Sequence, residues 1–181
     1  MIFRAIEFAA RAHRDHYRKG TRIPYIVHPL NVAKILIEYG CPEDVVAAGI
    51  LHDTTEDTPV TLEEIRKEFG DRVAKLVEAA SEPDKSDTWE HRKNHTIGYL
   101  KTAPVDVLIL SCADKLDNVK SINEDVEKDG ESVWDRFNRP KDDQEWYYRS
   151  LVEVFNSRTG ENETAKSLFR RFALEVKILF G

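Results

Sequence analysis

With 181 residues, 41% of them hydrophobic and 33% charged, the chain has the makings of one domain with a real core, with or without an extension. Its net charge of −6 excludes a general nucleic-acid binder, which needs a basic face for phosphates. No run approaches the roughly eighteen apolar residues that cross a bilayer, and the start Met1-Ile2-Phe3-Arg4-Ala5 lacks the apolar core and cleavage site of a signal peptide.

Gly and Pro punctuate the chain into helices, and no segment has convincing strand alternation. A first helix is expected over 2–16, with Ile2, Ile6, Ala9, Ala10 and His13 along one side. A cation-rich loop follows and ends at Pro24-Tyr25. Pro29 suits the first turn of a second helix, which Gly40 stops. Pro42, with Glu43 and Asp44 behind it, opens a third, where acids complement the helix dipole. Thr61 with Glu64 reads as a capping box, and Asp87 with Glu90 as another. Pro104 ends a helix over 89–102 and starts a long one to Lys128, before Gly130. Two more are expected near 140–157 and 161–180, the latter with Leu168, Phe172, Val176 and Leu179 as an apolar stripe. The fold class is all-α: an expected domain over 1–130 and a C-terminal helical extension over 131–181 packed on it. Cys41 and Cys112 lie in apolar contexts and read as reduced packing residues, which fits a cytoplasmic protein.

The third helix carries the main functional signal. Val45 to Leu51 is apolar on every face, so it belongs inside the protein, yet it runs directly into His52-Asp53. A carboxylate at that depth costs several kcal/mol unless its charge is compensated. The pattern recurs where Val107 to Ala113 runs into Asp114. Two apolar helices that each deliver an acid point to one shared divalent cation. His28, at the mouth of the second helix, is the best candidate for a fourth ligand. Two nitrogens and two oxygens suit manganese, iron or zinc better than calcium, which prefers oxygen throughout. Glu56 and Asp57 follow in the string His52-Asp53-Thr54-Thr55-Glu56-Asp57. Glu56, four residues after His52, would face whatever His52 binds, placed to orient an attacking water and take its proton.

His28-Pro29, His52-Asp53, Glu56-Asp57 and Ala113-Asp114-Lys115-Leu116-Asp117-Asn118 together resemble the HD-domain metal-dependent phosphohydrolases. Ala12-His13, Arg18-Lys19 and Pro24-Tyr25-Ile26-Val27-His28-Pro29 narrow the likeness to RelA/SpoT-type hydrolase domains and small stand-alone alarmone hydrolases, over residues 5–125. The resemblance implies a helical fold holding one Mn²⁺ and removing pyrophosphate from the 3′ position of ppGpp or pppGpp, with a small phosphorylated nucleotide as its partner. It implies His28, His52, Asp53 and Asp114 as metal ligands and Glu56 and Asp57 as catalytic acids. Arg18, Lys19, Tyr25, Asn118 and Ser121 would line the nucleotide site. It leaves the oligomeric state open.

The residues support a phosphorylated substrate in part, because Arg11, Arg14, Arg18, Lys19 and Arg22 crowd one stretch of an acidic chain. Asn118, four residues after Asp114, shares its helix face. Other tempting residues have plainer readings: His91 and His95 as surface residues, His16 as solvated, and His13 as a packing or hydrogen-bonding residue near the site. Trp134, Trp146, Tyr147 and Tyr148 read as docking a C-terminal helix. Departures from relatives are Asp117, expected to add negative charge near the nucleotide, and the stretch 79–85, which stands where relatives carry threonine. Two alternatives stay open: an HD phosphohydrolase acting on another nucleotide or phosphorylated metabolite, and a nucleotide sensor that does not turn over.

Overall fold

The computed structural model describes residues 1–82, 86–160 and 162–181. Residues 83–85 of the divergent stretch, and residue 161 at the expected start of the last helix, lie outside them.

At the centre is α3 (Glu43–Leu51), in which every residue from Val45 to Leu51 is buried. It contacts α1 (Ile2–Ala12), α2 (Val27–Glu38), α6 (Asp71–Ala80) and α8 (Val105–Asp129). Its one glycine explains how tightly α2 approaches. A Cβ on Gly49 would stand 2.5 Å from Leu36 Cδ1, so a side chain there would make the buried Leu36 side chain shift. That approach fixes His28, near the start of α2, against His52, just past the end of α3.

Around this centre lie α4 (Thr54–Asp57), α5 (Leu62–Phe69), α7 (Trp89–Leu100), a 3₁₀ turn (Gly130–Arg136), α9 (Lys141–Ser157) and α10 (Glu163–Phe180). The described residues contain no strand, only a single bridge between Tyr17 and Pro24. Helix α8 serves two regions. Val107 to Ala113 is buried in the core beside α3 and α6, and beyond it the helix packs on α10 and the 3₁₀ turn. The expected stripe on α10 is buried, with Phe155 stacked on Phe169 at 4.9 Å and edge-on to Phe172 at 5.3 Å. No described helix is long and apolar enough to cross a membrane.

Local signals differ from expectation at three places. Helix α1 stops at Ala12 rather than residue 16, because the following loop makes its own backbone bonds: Arg18 N–H to Ile23 at 2.8 Å and Tyr25 N–H to His16 at 2.8 Å. The Thr61–Glu64 box is present in both directions. The cap of α7, however, is Thr88, whose hydroxyl accepts from His91 N–H, while Asp87 accepts from Thr88 N–H and pairs with the His91 ring. Finally, α3 does not continue to Glu56. The chain breaks at His52-Asp53, and Glu56 and Asp57 sit on their own short turn, with Asp53 as its N-cap.

Candidate active site

The structure brings His28, His52 and Asp114 together, with one ligand atom from each lying within 4.8 Å of the others. His28 Nε2 is 3.2 Å from Asp114 Oδ1 and 3.6 Å from Asp53 Oδ2. His52 Nε2 is 3.2 Å from Asp53 Oδ2 and 3.7 Å from Asp114 Oδ1. What stands behind each ring decides its protonation. His52 Nδ1 lies 2.8 Å from the Gly49 carbonyl and His28 Nδ1 lies 2.6 Å from Asp117 Oδ2. A carbonyl and a carboxylate only accept, so each Nδ1 carries the donated proton and each Nε2 turns its lone pair inward.

Lone pairs and carboxylates that converge in a buried place need positive charge. The titration directions agree. Burial works against charging both rings, yet the hydrogen bonds and charges of the surrounding carboxylates raise His28 and raise His52 well above the ordinary imidazole range. Burial likewise opposes ionising Asp53, but the adjacent His52 holds its carboxyl below its usual range. Asp114 is held down against burial by Lys115 and the two rings. The cluster takes its positive charge as ring protons or as one divalent cation. His52 Nε2, buried and without a hydrogen-bond partner, fits the second. The donor set, two imidazoles and two carboxylates, fits a borderline ion with mixed N/O ligation.

Three neighbours orient the carboxylates. Tyr25 donates its hydroxyl to Asp53 Oδ2 at 2.5 Å. Lys115 Nζ donates to Asp114 Oδ2 at 2.7 Å, and Asn118 Nδ2 to Asp114 Oδ1 at 2.8 Å. Asn118 Oδ1 in turn accepts from Arg18 Nη2 at 2.9 Å, and the Arg18 guanidinium lies 5.9 Å from the Tyr25 ring centre.

Arg18 and Asn118 form a ridge between two clefts. The first, about 300 Å³, is lined by Arg18, Ile23, Val27, His28, Asp117 and Ser121, among others. The second, about 280 Å³, is strongly cationic: Lys19, Arg92, Lys93, Lys115 and Arg139 line it together with Trp89 and Tyr147, and no acid does. Two of its donors are buried without a hydrogen-bond partner among the described residues, Arg92 Nε and the Tyr147 hydroxyl. Burial, then the charge of Lys115, pushes Lys93 below the usual lysine range despite its pairing with Glu82. Burial also pushes the Tyr147 hydroxyl up to about 12, so it stays a neutral donor.

Glu56 is half-buried, and its Oε1 accepts from the backbone N–H of Glu82 at 2.9 Å; Asp57 is exposed. The Glu82 carboxylate holds Arg92 at 2.5 Å and also binds Lys93, so one residue links the acid's support to the cationic cleft. Lys19 reaches Asn138 at 2.9 Å. His16 is half-buried with its Nδ1 3.3 Å from that of His13, not solvated as expected. His91 and His95 are exposed. The aromatic set divides. Trp134 stacks on Phe180 and Tyr148 lies 6.2 Å from it, docking the last helix, whereas Tyr147 faces Lys93 at 4.9 Å; Tyr147 and Tyr148 both line the cationic cleft. Asp117 is not a bare charge before the nucleotide site, because its carboxylate is engaged by His28.

Sequence reading passed over Arg92, Lys93 and Arg139, gave Lys115 no role, and read Tyr147 only as docking a C-terminal helix. Lys115 had a usable signal, a cation next to an acid in an apolar helix. The others come from α7, α9 and the segment between, and only tertiary packing brings them together.

A family model described as HD domain matches residues 5–142. The chain belongs to the HD-domain family. HD domains bind a divalent metal, in keeping with the cluster. Among relatives of the chain, the human guanosine-3′,5′-bis(diphosphate) 3′-pyrophosphohydrolase MESH1 is 32% identical over 178 residues, covering 97% of this chain and 96% of that one. The enzyme of that activity from Aquifex aeolicus (strain VF5) is 46% identical over 123 residues, 67% of this chain. The chain spans only 18% of that longer protein. A solved structure of a metazoan ortholog of SpoT, described as hydrolyzing ppGpp and acting in starvation responses, superposes with a TM-score of 0.77 at 27% identity, covering 98% of this chain and 96% of that one. The likeness therefore extends beyond residues 5–125, through both C-terminal helices of this HD-domain protein.

Proposed function

We propose that this HD-domain chain is a metal-dependent hydrolase that removes pyrophosphate from the 3′ position of ppGpp or pppGpp, with His28, His52, Asp53 and Asp114 holding one Mn²⁺. The observation that carries the reading is the junction of two unlike environments: a buried cluster of inward lone pairs beside a cleft with five cations and two unpartnered donors. Lys115 and Asn118 belong to both, since each donates to Asp114 and lines the cleft. A substrate that satisfies the cleft is polyanionic, and phosphates are the anions that match guanidinium and ammonium donors. The named activities of the human and Aquifex relatives point the same way.

When bound, a divalent ion supplies Lewis-acid charge at the scissile phosphate and makes water easier to deprotonate. The chain's residues do the rest. Arg92, Lys93, Arg139 and Tyr147 bind phosphate oxygens. Arg18 on the ridge and Lys19 in the second cleft bind the nucleotide, Ser121 lines the first cleft, where a base would fit, and Tyr25 lies against the Arg18 guanidinium. Glu56, held by Glu82 N–H, takes the proton of the attacking water with Asp57 nearby. Water adds to the phosphorus, the bond to the 3′ oxygen breaks, that oxygen takes up the proton released from the water, and the products are GDP or GTP and pyrophosphate.

Pyrophosphate release from ppGpp by the purified protein, with Mn²⁺ and after chelation, tests this. Metal-dependent release that is lost in Asp53→Ala is the expected result. Folded, Mn²⁺-loaded protein that releases none overturns the substrate assignment. A panel of other phosphorylated nucleotides then separates a different HD hydrolase from a binding sensor. In a sensor, Glu56→Gln would leave ligand affinity almost unchanged and there would be no turnover to lose.

A further inference from the structure

The two imidazoles of the cluster present the same nitrogen inward but are held from behind by different groups. His52 leans on a neutral dipole, the Gly49 carbonyl, whereas His28 leans on a charge, the Asp117 carboxylate. We propose that Asp117 is a positioning residue of the cation site, a carboxylate that locks the His28 ring and makes its Nε2 the stronger electron donor of the two rings. This rests on the reading of the cluster as a cation site.

Three observations carry it. The contact is 2.6 Å between buried groups, as expected of a charge-assisted hydrogen bond. Asp117 is only 7% exposed, and His28 is its sole hydrogen-bond partner among the described residues. A carboxylate kept at that depth for packing alone would be poorly compensated. The helical register supplies the third. Asp114 and Asp117 are three residues apart on α8 and so share a face. One rigid helix thus delivers a carboxylate oxygen to the inner face of the cluster and, one turn on, the carboxylate behind the His28 ring. Outer carboxylates of this kind fix the tautomer and raise the basicity of a ligating imidazole, and their removal costs about 10–100-fold in metal affinity.

The test is Mn²⁺ affinity, measured by calorimetric titration against a competing chelator, with no turnover involved. Asp117→Asn keeps an acceptor for the ring and loses the charge; Asp117→Leu loses both. Affinity is expected to fall about tenfold in the first and about a hundredfold in the second. Thermal unfolding of the chelated proteins is recorded in parallel. Variants that unfold earlier yet bind Mn²⁺ as tightly as the unaltered protein would reduce Asp117 to a structural role and overturn the inference. Equal affinity in all three proteins does the same. If the unaltered protein binds no divalent ion, the cation-site reading falls first and this inference with it, an outcome plainly different from tight binding that ignores residue 117.

Discussion

The cluster and the cationic cleft share a wall but are built by opposite means. The cluster comes from α2, α3 and α8, helices whose flanking residues are apolar and buried, and each of its side chains is aimed by a neighbour. The cleft comes mostly from α7, α9 and the segments around them, where partly buried cations lean on acids such as Glu82 and Glu90. The first is rigid because an error in a dense core displaces whole helices. On the proposed function the second is adaptable, because Arg92, Lys93 and Arg139 would exchange a carboxylate partner for a substrate phosphate at little net cost. On that reading chemistry is anchored in the core and recognition is left to the rim.

This contrast is broken most severely from the core side. Asp114→Asn keeps the shape of the side chain but removes the charge that Lys115 and both rings surround. Divalent-ion affinity and turnover should fall together, on the order of a hundredfold or more. Retention of both would mean that the cluster is not where the ion sits. The rim should respond differently. Arg92→Gln removes a charged donor, about 1.5–3 kcal/mol of interaction, so KM should rise about tenfold to a hundredfold while ion affinity stays the same. Tyr147→Phe should raise KM by a smaller factor and leave thermal stability equal or slightly higher, because the lost hydroxyl is buried and unpartnered in the free protein. Steady-state kinetics beside thermal unfolding checks both. A drop in stability in Tyr147→Phe would mean that the hydroxyl has a structural partner.

The same contrast explains what was legible in the sequence. The convergence of His28, His52, Asp53 and Asp114 could be read because each acid interrupts an apolar run, and charge in such a run is anomalous enough to demand an explanation. The helices that carry them could be read for a related reason, since apolar periodicity and Pro or Gly boundaries are local. The rim was silent. Arg92 and Lys93 sit on a helix with one buried residue, Leu100, and cations on a polar helix look solvated until packing shows what they face. Asp117 misled in the opposite direction. Its charge was visible, but its partner is 89 residues away, and only the fold reveals that the charge is already engaged. Local backbone competition also escaped the pattern: α1 ends early because the loop after it offers its N–H groups better partners.

The mildest test lies outside both regions and asks whether the core tolerates a local loss without transmitting it. At the start of α5, Thr61 Oγ1 accepts from Glu64 N–H at 3.3 Å, and Glu64 Oε2 accepts from Thr61 N–H at 2.8 Å. Both residues are exposed and neither lines the cluster or either cleft, although Thr61 shares a separate surface cavity with Glu56. Thr61→Ala leaves the Glu64 N–H to water and removes the group that fixes the first turn, a loss of about 1 kcal/mol. For a chain of this size that lowers Tm by about 2–4 °C. The hydrolytic rate and ion affinity, measured at a temperature where the variant is fully folded, should match the unaltered protein. Helix α5 packs on α6, and α6 on α3. A cap that changed catalysis would therefore mean that disorder at α5 travels through two helices to His52, and that the core is softer than its packing suggests.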